Sequence, residues 1–420
     1  MTSTAEQNRY LAAWEELSAD VPAWLAALRH RAMRRFSDLG FPTTHDEEWR
    51  FTNVAPVART QWQPSARTVA EKLFAVPGAA ALGFVNGRLA SADPAPEGTR
   101  LSSLADAMRA EPELLERHLG AYADFEHHAF AALNTAFASE GAFVLVGRNR
   151  VVQTPIHIVW AAAGPGITQP RTLVLAGANS QVTVIETYIG ADGEYFTNAV
   201  TEICAGENAL VEHYKLQLEG PRAFHVGVTQ AQVGRAANYS AHSIALGGAL
   251  ARNDSNAVLG EGSQATLNGL YLAGGTQHID NHTAIDHASP HAASRQLYKG
   301  ILDGRATAVF NGKIYVRPDA QKTDAKQTNK NLVLSEDAVI HTKPELQIWA
   351  DDVRCTHGAT IGQLDAESVF YLRSRGIGAG QARQILTEAF ARDILDYVRV
   401  ESLRELLEKV LTEKLHEHRE

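Results

Sequence analysis

The sequence predicts a mainly β protein with helical ends, whose core is a β-helix. From about Ala142 onward, apolar and polar residues alternate in segments of five to ten residues. This alternation continues for roughly two hundred residues. On both sides of that stretch, apolar residues recur at helical spacing. We therefore expect an N-terminal, mostly helical region at 1–140, a β-core at 141–362 and a C-terminal helical region at 363–420.

The N-terminal region contains amphipathic helices. In the run PAWLAALRHRAMRRFSDLGFP, residues 22–42, apolar side chains fall on one helical face, and Gly40 predicts the end of the helix. That face carries Leu25, Leu28, Ala32, Phe36 and Leu39. A further helix is predicted in EHHAFAALNTAFAS at 126–139. The segments EEWRFTNV at 47–54 and SADPAPEGT at 91–99 are typical of loops or short strands.

The core is predicted to consist of short strands closed by turns. Its segments are rich in β-branched and aromatic residues, and many end in turns such as GANS and GADGE. No pattern of helix length interrupts them, which excludes a βαβ sheet. A sandwich, a propeller and a solenoid remain. Strand-and-turn units with small residues at the corners, spaced on the order of 20 residues per pair of strands, favour the solenoid.

The helical period returns after Gly362. Asp365 is predicted to cap the helix in DAESVFYLRSR, which ends at Gly376, and two longer amphipathic runs follow. Their apolar stripes contain Leu386, Phe390, Ile394, Val398, Leu403, Leu407 and Val410. The glycine-rich RGIGAGQAR follows a helix and lacks the G-x-G-x-x-G spacing of a phosphate-binding loop. It therefore predicts a turn between two helices.

Composition and missing motifs limit the function. The net charge of −9, from 48 acidic and 39 basic residues without a concentrated basic stripe, argues against a nucleic-acid partner. No apolar run approaches the ~18 residues of a membrane span. The N-terminal stretch does not read as a secretory signal, so we expect a cytoplasmic protein with free thiols. P-loop, G-x-S-x-G and H-E-x-x-H motifs are all missing, which predicts no self-contained catalysis.

One cluster of histidines and aspartates could form a metal site. The run HIDNHTAIDHASPH, residues 278–291, supplies nitrogen and oxygen ligands. These are His278, His282, His287, His291, Asp280 and Asp286. Histidine spacings of four, five and four do not match a helical pair in this strand-like context. The pattern favours hydrogen bonding between rungs, or at a protein interface, over a metal site.

The stretch RCTHGAT, residues 354–360, contains one of only two cysteines in the chain. On a strand, Cys355 and His357 would point to the same face and lie side by side. Three interpretations remain open: ordinary strand residues, a nucleophile with its base, or part of a metal site. A metal site would need further ligands from another chain, from Cys204 or from the carrier of the metal.

Residues 281–377 resemble a known family. The run includes NHTAIDHASPH, QLYKGILDGRATAVFNGKIYV and CTHGATIGQLDAESVFYLRSRGI. It resembles the shared core of the SufB/SufD family of iron-sulfur cluster assembly proteins. The opening YLAAWEELSADVPAWLAALRHRAMRRFSDLGFPTTHDEEWRFTNV, residues 10–54, and the total length resemble the SufD branch. SufB-type chains carry further cysteines in the β-core, which this sequence lacks apart from Cys204.

The resemblance implies a right-handed parallel β-helix and a non-catalytic role. A SufD-like chain would pair with SufB through the β-helix and bind the ABC-type ATPase SufC through residues 365–398. The unpaired backbone groups at an open end or edge of a β-helix predict that the isolated chain homodimerises. It would hold no stable cofactor. A transient iron-sulfur cluster would form at the SufB interface, with His357 the favoured ligand and Cys355 the second, and the subunit would help iron to enter. A SufB-like scaffold, a carbohydrate-active β-helix enzyme and a β-helix acyltransferase are the alternatives.

Overall fold

A computed structural model describes residues 3–17, 21–60, 62 and 74–417. The described part is a β-solenoid of about eight turns with helices at both ends, which confirms the predicted fold class. The strands are β1 (Ala80–Val85), β2 (Arg88–Ala92), β3 (Thr99–Ser103), β4 (Ala142–Val146), β5 (Ile156–Ala162), β6 (Gly166–Thr168), β7 (Arg171–Ala176), β8 (Gln181–Gly190), β9 (Tyr195–Ala205), β10 (Leu210–Gln217), β11 (Phe224–Val233), β12 (Asn238–Ala245), β13 (Leu250–Leu259), β14 (Gln264–Ala273), β15 (His278–His287), β16 (Ala293–Leu302), β17 (Thr307–Val316), β18 (Asp324–Val333), β19 (Val339–Ile348) and β20 (Arg354–Gly362).

The helices lie before, between and after these strands. They are α1 (Ser3–Glu15), α2 (Ala23–Leu39), α3 (Ala55–Arg59), α4 (Leu104–Ala110), α5 (Pro112–His118), α6 (Ala129–Ala136), α7 (Ala366–Ser374), α8 (Ala379–Leu395) and α9 (Glu401–Glu417), with a 3-10 turn at Glu47–Trp49. No helix in the described ranges is long and apolar enough to cross a membrane.

Two sheets face each other across the lumen of the solenoid. One has the order β2-β1-β5-β8-β10-β12-β14-β16-β18-β20, and the other runs β19-β17-β15-β13-β11-β9-β7-β4-β3. All pairings are parallel except those of β2 and β3. Leu210 pairs with Asn238, and Asn238 with Gln264, so one turn takes 28 and the next 26 residues. The expected spacing of about 20 was too short because strands β13 to β19 are each ten residues long.

The sheets begin earlier in the chain than the alternating pattern does. Strand β1 already pairs in parallel with β5, and its inward Leu82 and Phe84 are fully buried. The sequence did not reveal β1, because it is short and β2, its partner on the other side, is exposed along its whole length. A single buried hexapeptide carries too few residues to establish a period.

The terminal helices cover the outer faces of the sheets. Helix α2 buries Leu25, Ala32 and Phe36, and Gly40 ends it with a φ of 67°. At the other end, Asp365 caps α7 by accepting a hydrogen bond from the Ser368 N–H at 2.9 Å. The predicted RGIGAGQAR turn joins α7 to α8, with Gly376 at a φ of 86°. These local predictions are confirmed.

Charged side chains lie inside the lumen. Glu186 accepts hydrogen bonds from Thr172 at 2.6 Å and Thr201 at 2.8 Å, and His213 lies 2.9 Å away. Lys215 stacks on Glu186 from the next turn and donates to Asn253 Oδ1 at 2.7 Å. Burial lowers the pKa of Lys215 to about 8, although neighbouring carboxylates act in the opposite direction. Burying an ammonium group is costly, so the lumen shifts the protonation equilibrium of Lys215 toward the neutral amine.

Replacing Lys215 by Met should remove a pH dependence of stability. The pKa is lower in the folded protein than in the unfolded chain, so between about pH 8 and pH 10.5 the unfolded chain binds more protons. The free energy of unfolding of the wild type should rise across that window by on the order of 3 kcal/mol relative to Lys215→Met. Urea unfolding at several pH values measures this difference. Lys409→Met, on an exposed face of α9, is the control and should track the wild type.

Candidate functional site

The last turn of the solenoid is open. Strand β19 pairs with β17 and β20 pairs with β18, so each has one backbone edge that no other described strand covers. Such an edge presents unpaired N–H and C=O groups to any chain that can extend the sheet. The open end therefore combines free backbone groups with the side chains of the final rung.

Cys355 and His357 lie on this final rung and face the lumen. Cys355 pairs in register with Ala325 and His357 with Gln327, and both of those partners are buried inside the solenoid. Paired residues of parallel strands point to the same side. Cys355 is half-buried against the apolar cluster around Ile314, whereas the His357 side chain is exposed at the mouth of the lumen.

The environment of Cys355 does not favour a nucleophile. Burial raises the pKa of its thiol and the charge of Asp324 adds to this, while a backbone hydrogen bond with Ala325 lowers it. A thiolate nucleophile needs the opposite balance. Cys204 lies on β9, five strand spacings from β19, or on the order of 24 Å at about 4.8 Å per spacing. It cannot complete a metal site with Cys355 and His357 in the same chain.

The histidines of residues 278–291 do not converge on one point. His278 and His282 lie on the outer face of β15, whereas His287 faces the lumen and lies 2.9 Å from Ser294 Oγ. His291 is in the following turn with a φ of 62°, and Asp286 forms an ion pair with Arg317. Within the described ranges, no group of three or more His, Cys, Asp or Glu side chains could hold a metal ion. The hydrogen-bonding interpretation fits this arrangement.

Comparison with family models covers most of the solenoid. The model described as "SUF system FeS cluster assembly, SufBD core domain" matches residues 158–390, and the model described as "SufBD protein N-terminal region" matches residues 79–158. The first match spans more than half of the chain. The chain belongs to the SufBD family. It is therefore a SufD-like protein of iron-sulfur cluster assembly.

Individual relatives agree with this assignment. A SufBD family protein of iron-sulfur cluster assembly from Synechocystis is 37% identical, with 90% of this chain and 88% of the relative aligned. The iron-sulfur cluster assembly protein SufD of Escherichia coli is 32% identical over 87% of each chain. The SufD protein of Bacillus subtilis is 25% identical over 99% of each. Each of these three alignments covers at least 87% of this chain.

In this SufBD protein, residues 47–52 hold the N-terminal region against the outer face of the solenoid; we call them the clamp segment. Arg252 donates to the Glu48 carbonyl oxygen at 2.5 Å, and its guanidinium lies 3.7 Å from the centre of the Trp49 ring. Thr52 Oγ1 donates to Asp280 Oδ2 at 2.6 Å. The clamp segment thus reaches strands β13 and β15.

Buried charges anchor the clamp segment. Arg252 forms ion pairs of 3.0 Å with Asp254 and Asp280, and His282 lies 3.0 Å from Asp280. Burial raises the pKa of Asp280, but the charges of His282 and Arg252 outweigh it and lower that pKa to about 2. Sequence reasoning singled out Asp280 and His282 but missed their partners Arg252 and Asp254. The only available signal was the polar run ARND inside strand β13, which a purely apolar strand would not contain.

Replacing Arg252 by Met should strongly destabilise this SufBD protein. The change leaves Asp254 and Asp280 buried without their cation, and breaking a buried ion pair costs about 3–5 kcal/mol. Chemical unfolding at pH 7 measures the loss. Arg235→Met, which removes an exposed pair with Glu207, is the control and should cost less than about 1 kcal/mol.

The Arg252 contribution should also depend on pH in a defined direction. Because both aspartate pKa values are lower in the folded protein, the stabilisation is present above about pH 4 and is lost as the pH falls through the folded values. The difference between wild type and Arg252→Met should therefore shrink between about pH 4 and pH 2. A constant difference across that range would contradict the assignment.

Proposed function

We propose that this SufBD protein is a non-catalytic subunit of a SufBCD complex for iron-sulfur cluster assembly. It pairs with SufB through the solenoid, binds the ATPase SufC through its C-terminal helices, and contributes His357 as a ligand to a nascent cluster. The observation that carries the proposal is the open last turn, with His357 exposed on its inner face. The iron-sulfur cluster is cargo of the complex in this proposal.

The surface around the open end supports pairing with another β-helix. Large apolar side chains are exposed there: Val339, Ile348, Trp349 and Ile361. Exposed apolar groups beside unpaired backbone edges are typical of a surface that another chain covers. SufB would extend one or both sheets and bury these side chains. In the isolated protein a second copy would use the same edges.

The chemistry of the final rung suits a shared cluster. A neutral imidazole and a thiolate are both ligands of iron, and His357 is accessible whereas Cys355 is half-buried. Burial keeps the Cys355 thiol protonated until a metal displaces the proton, so His357 is the favoured ligand and Cys355 the second. The remaining ligands would come from SufB across the interface, because Cys204 is too distant.

The C-terminal helices offer two different faces. The buried stripe of α8 and α9, which includes Ile394 and Leu407, packs on the outer face of the solenoid. Helix α7 instead exposes Phe370, 73% accessible, and Tyr371, 56% accessible. We assign this second face to SufC. ATP-driven closure of SufC subunits would then act through α7 and α8 on the solenoid, where Lys299 of β16 pairs with Asp393 of α8 at 2.5 Å.

Replacing His357 by Ala should lower cluster maturation while leaving assembly intact. The side chain is exposed and contributes little to the core, so folding and co-purification with SufB and SufC should match the wild type. Iron and sulfide are measured anaerobically on the co-expressed, affinity-purified complex. Cys355→Ala should have a smaller effect. His127→Ala removes another exposed histidine, in the turn before α6, and should change nothing. Wild-type iron and sulfide content in His357→Ala would remove the ligand role.

Replacing Phe370 by Asp should release SufC but retain SufB. A charge on the exposed face of α7 opposes burial of that face against a partner, while the solenoid edge stays unchanged. Pull-down of the tagged chain from co-expressing cells, with quantification of both partners, provides the measurement. Val151→Asp, at an exposed apolar residue near the opposite end of the solenoid, is the matched control. Retention of SufC by Phe370→Asp would place its docking surface elsewhere.

A further inference from the structure

Beneath His357 lies a buried glutamine with an unused acceptor. Gln327 of β18 is the register partner of His357 of β20 and is 1% exposed. Adjacent strands are separated by about 4.8 Å, so the two inward side chains are stacked within reach of a hydrogen bond. Oε1 of Gln327 is buried and has no hydrogen-bond partner among the described residues. An unsatisfied buried acceptor costs about 1–3 kcal/mol.

A hydrogen bond to the preceding turn of the solenoid fixes the orientation of the Gln327 amide. Gln327 Nε2 donates to Gln296 Oε1 at 2.9 Å, and Gln296 Nε2 donates to Thr283 Oγ1 at 2.6 Å. The –NH₂ group therefore points along the chain of amides into the lumen, which leaves the carbonyl oxygen free.

A glycine across the lumen makes room for this amide. A Cβ atom on Gly312 would lie only 2.1 Å from Gln327 Nε2. The amide fills the space that a larger residue on β17 would occupy, and this packing restricts its rotation. The free carbonyl oxygen is thus held in one place rather than sampling several.

His357 is the suitable donor for that oxygen. The other inward positions of β20 beside it are Cys355, a weak donor, and Ala359, which has no polar side chain. The two side chains are not bonded to each other in this structure, since Gln327 Oε1 has no partner there. At the open end, water competes for the exposed ring of His357. Once a partner covers the mouth, the bond to Gln327 becomes the best available one for the ring.

We propose that Gln327 is a positioning residue for His357. When SufB covers the open end, one ring nitrogen of His357 donates its hydrogen to Gln327 Oε1, which orients the other nitrogen, with its lone pair, toward the metal. Hydrogen bonds of this kind fix the tautomer and the ring angle of histidine ligands. The carbonyl group of Gln327 is neutral, so it would orient the His357 ring without adding negative charge to the metal site. The inference rests on the proposed function, because it assumes that His357 is a ligand.

The test uses the co-expressed complex and five variants besides the wild type. Gln327→Met has similar length but no acceptor, and Gln327→Glu retains an acceptor. His357→Ala and the double variant His357→Ala with Gln327→Met complete a cycle. Asn331→Leu is the control, because it removes another buried lumen amide from β18 that lies beneath Ile361 and not beneath His357. Thermal unfolding and SufB pull-down establish which variants fold and assemble.

We expect Gln327→Met to lower cluster-bound iron by roughly 10-fold, the usual scale for loss of a partner of a ligand histidine. The double variant should lose no more than His357→Ala alone. Gln327→Glu should retain most of the iron, and its iron loading should require higher pH, because a carboxylate raises the pKa of the adjacent imidazole. Asn331→Leu should resemble the wild type. A merely structural role for Gln327 would not produce the pH shift or the lack of additivity.

The outcomes separate the two proposals. Wild-type iron content in His357→Ala would overturn the proposed function, and the role of Gln327 with it. A loss in His357→Ala without a loss in Gln327→Met, or a double variant that is worse than His357→Ala, would overturn the Gln327 proposal alone. If Gln327→Met does not assemble, the pH profile of Gln327→Glu decides: an unshifted profile overturns the proposal.

Discussion

In-register stacking of parallel strands is the constraint on which the rest of this molecule depends. One column of inward side chains runs through Ala265, Ser294, Ala325 and Cys355, and the next column contains Gln296, Gln327 and His357. A slip of one residue in any strand would turn its whole inward set outward. The register therefore decides which side chains meet in the lumen and which of them arrive at its open end.

The columns place buried polar side chains next to hydrogen-bond partners on neighbouring strands. Glu186 is surrounded by hydroxyl and imidazole donors from neighbouring strands, and Gly227 leaves the space that Lys215 Nζ occupies. Such groups also disfavour any other register, because a slipped strand would leave them buried without partners. Gln327 differs from Glu186 in retaining an open acceptor, and it lies one rung below the end of the stack.

The two helical regions divide the outer surface between them. The clamp segment and the N-terminal helices occupy one sheet, through Arg252 and its carboxylates, while α8 and α9 occupy the other through an apolar stripe. Among the described residues, the end of the solenoid and the outer face of α7 remain uncovered by these two regions. These two surfaces are chemically different, since one offers backbone edges with a histidine and the other offers aromatic side chains. The proposed binding of two partners would require two such separate surfaces.

The sequence by itself determined the local features. Alternation predicted the strands from Ala142 onward, helical spacing predicted α2 and α8, and Asp365 predicted a helix cap. These predictions were possible because each signal depends only on residues that are close together in the sequence. It also placed Cys355 and His357 on one face, since residues two positions apart on a strand point to the same side.

Tertiary structure alone decided which distant residues meet. It separated the histidines of residues 278–291 and stacked His357 on Gln327, 30 positions earlier. It also brought Arg252 to Asp280 and to a segment some two hundred residues away. The periodicity of apolar residues does not predict these long-range contacts. They depend on the number of residues in each solenoid turn and on which sheet face a distant segment covers.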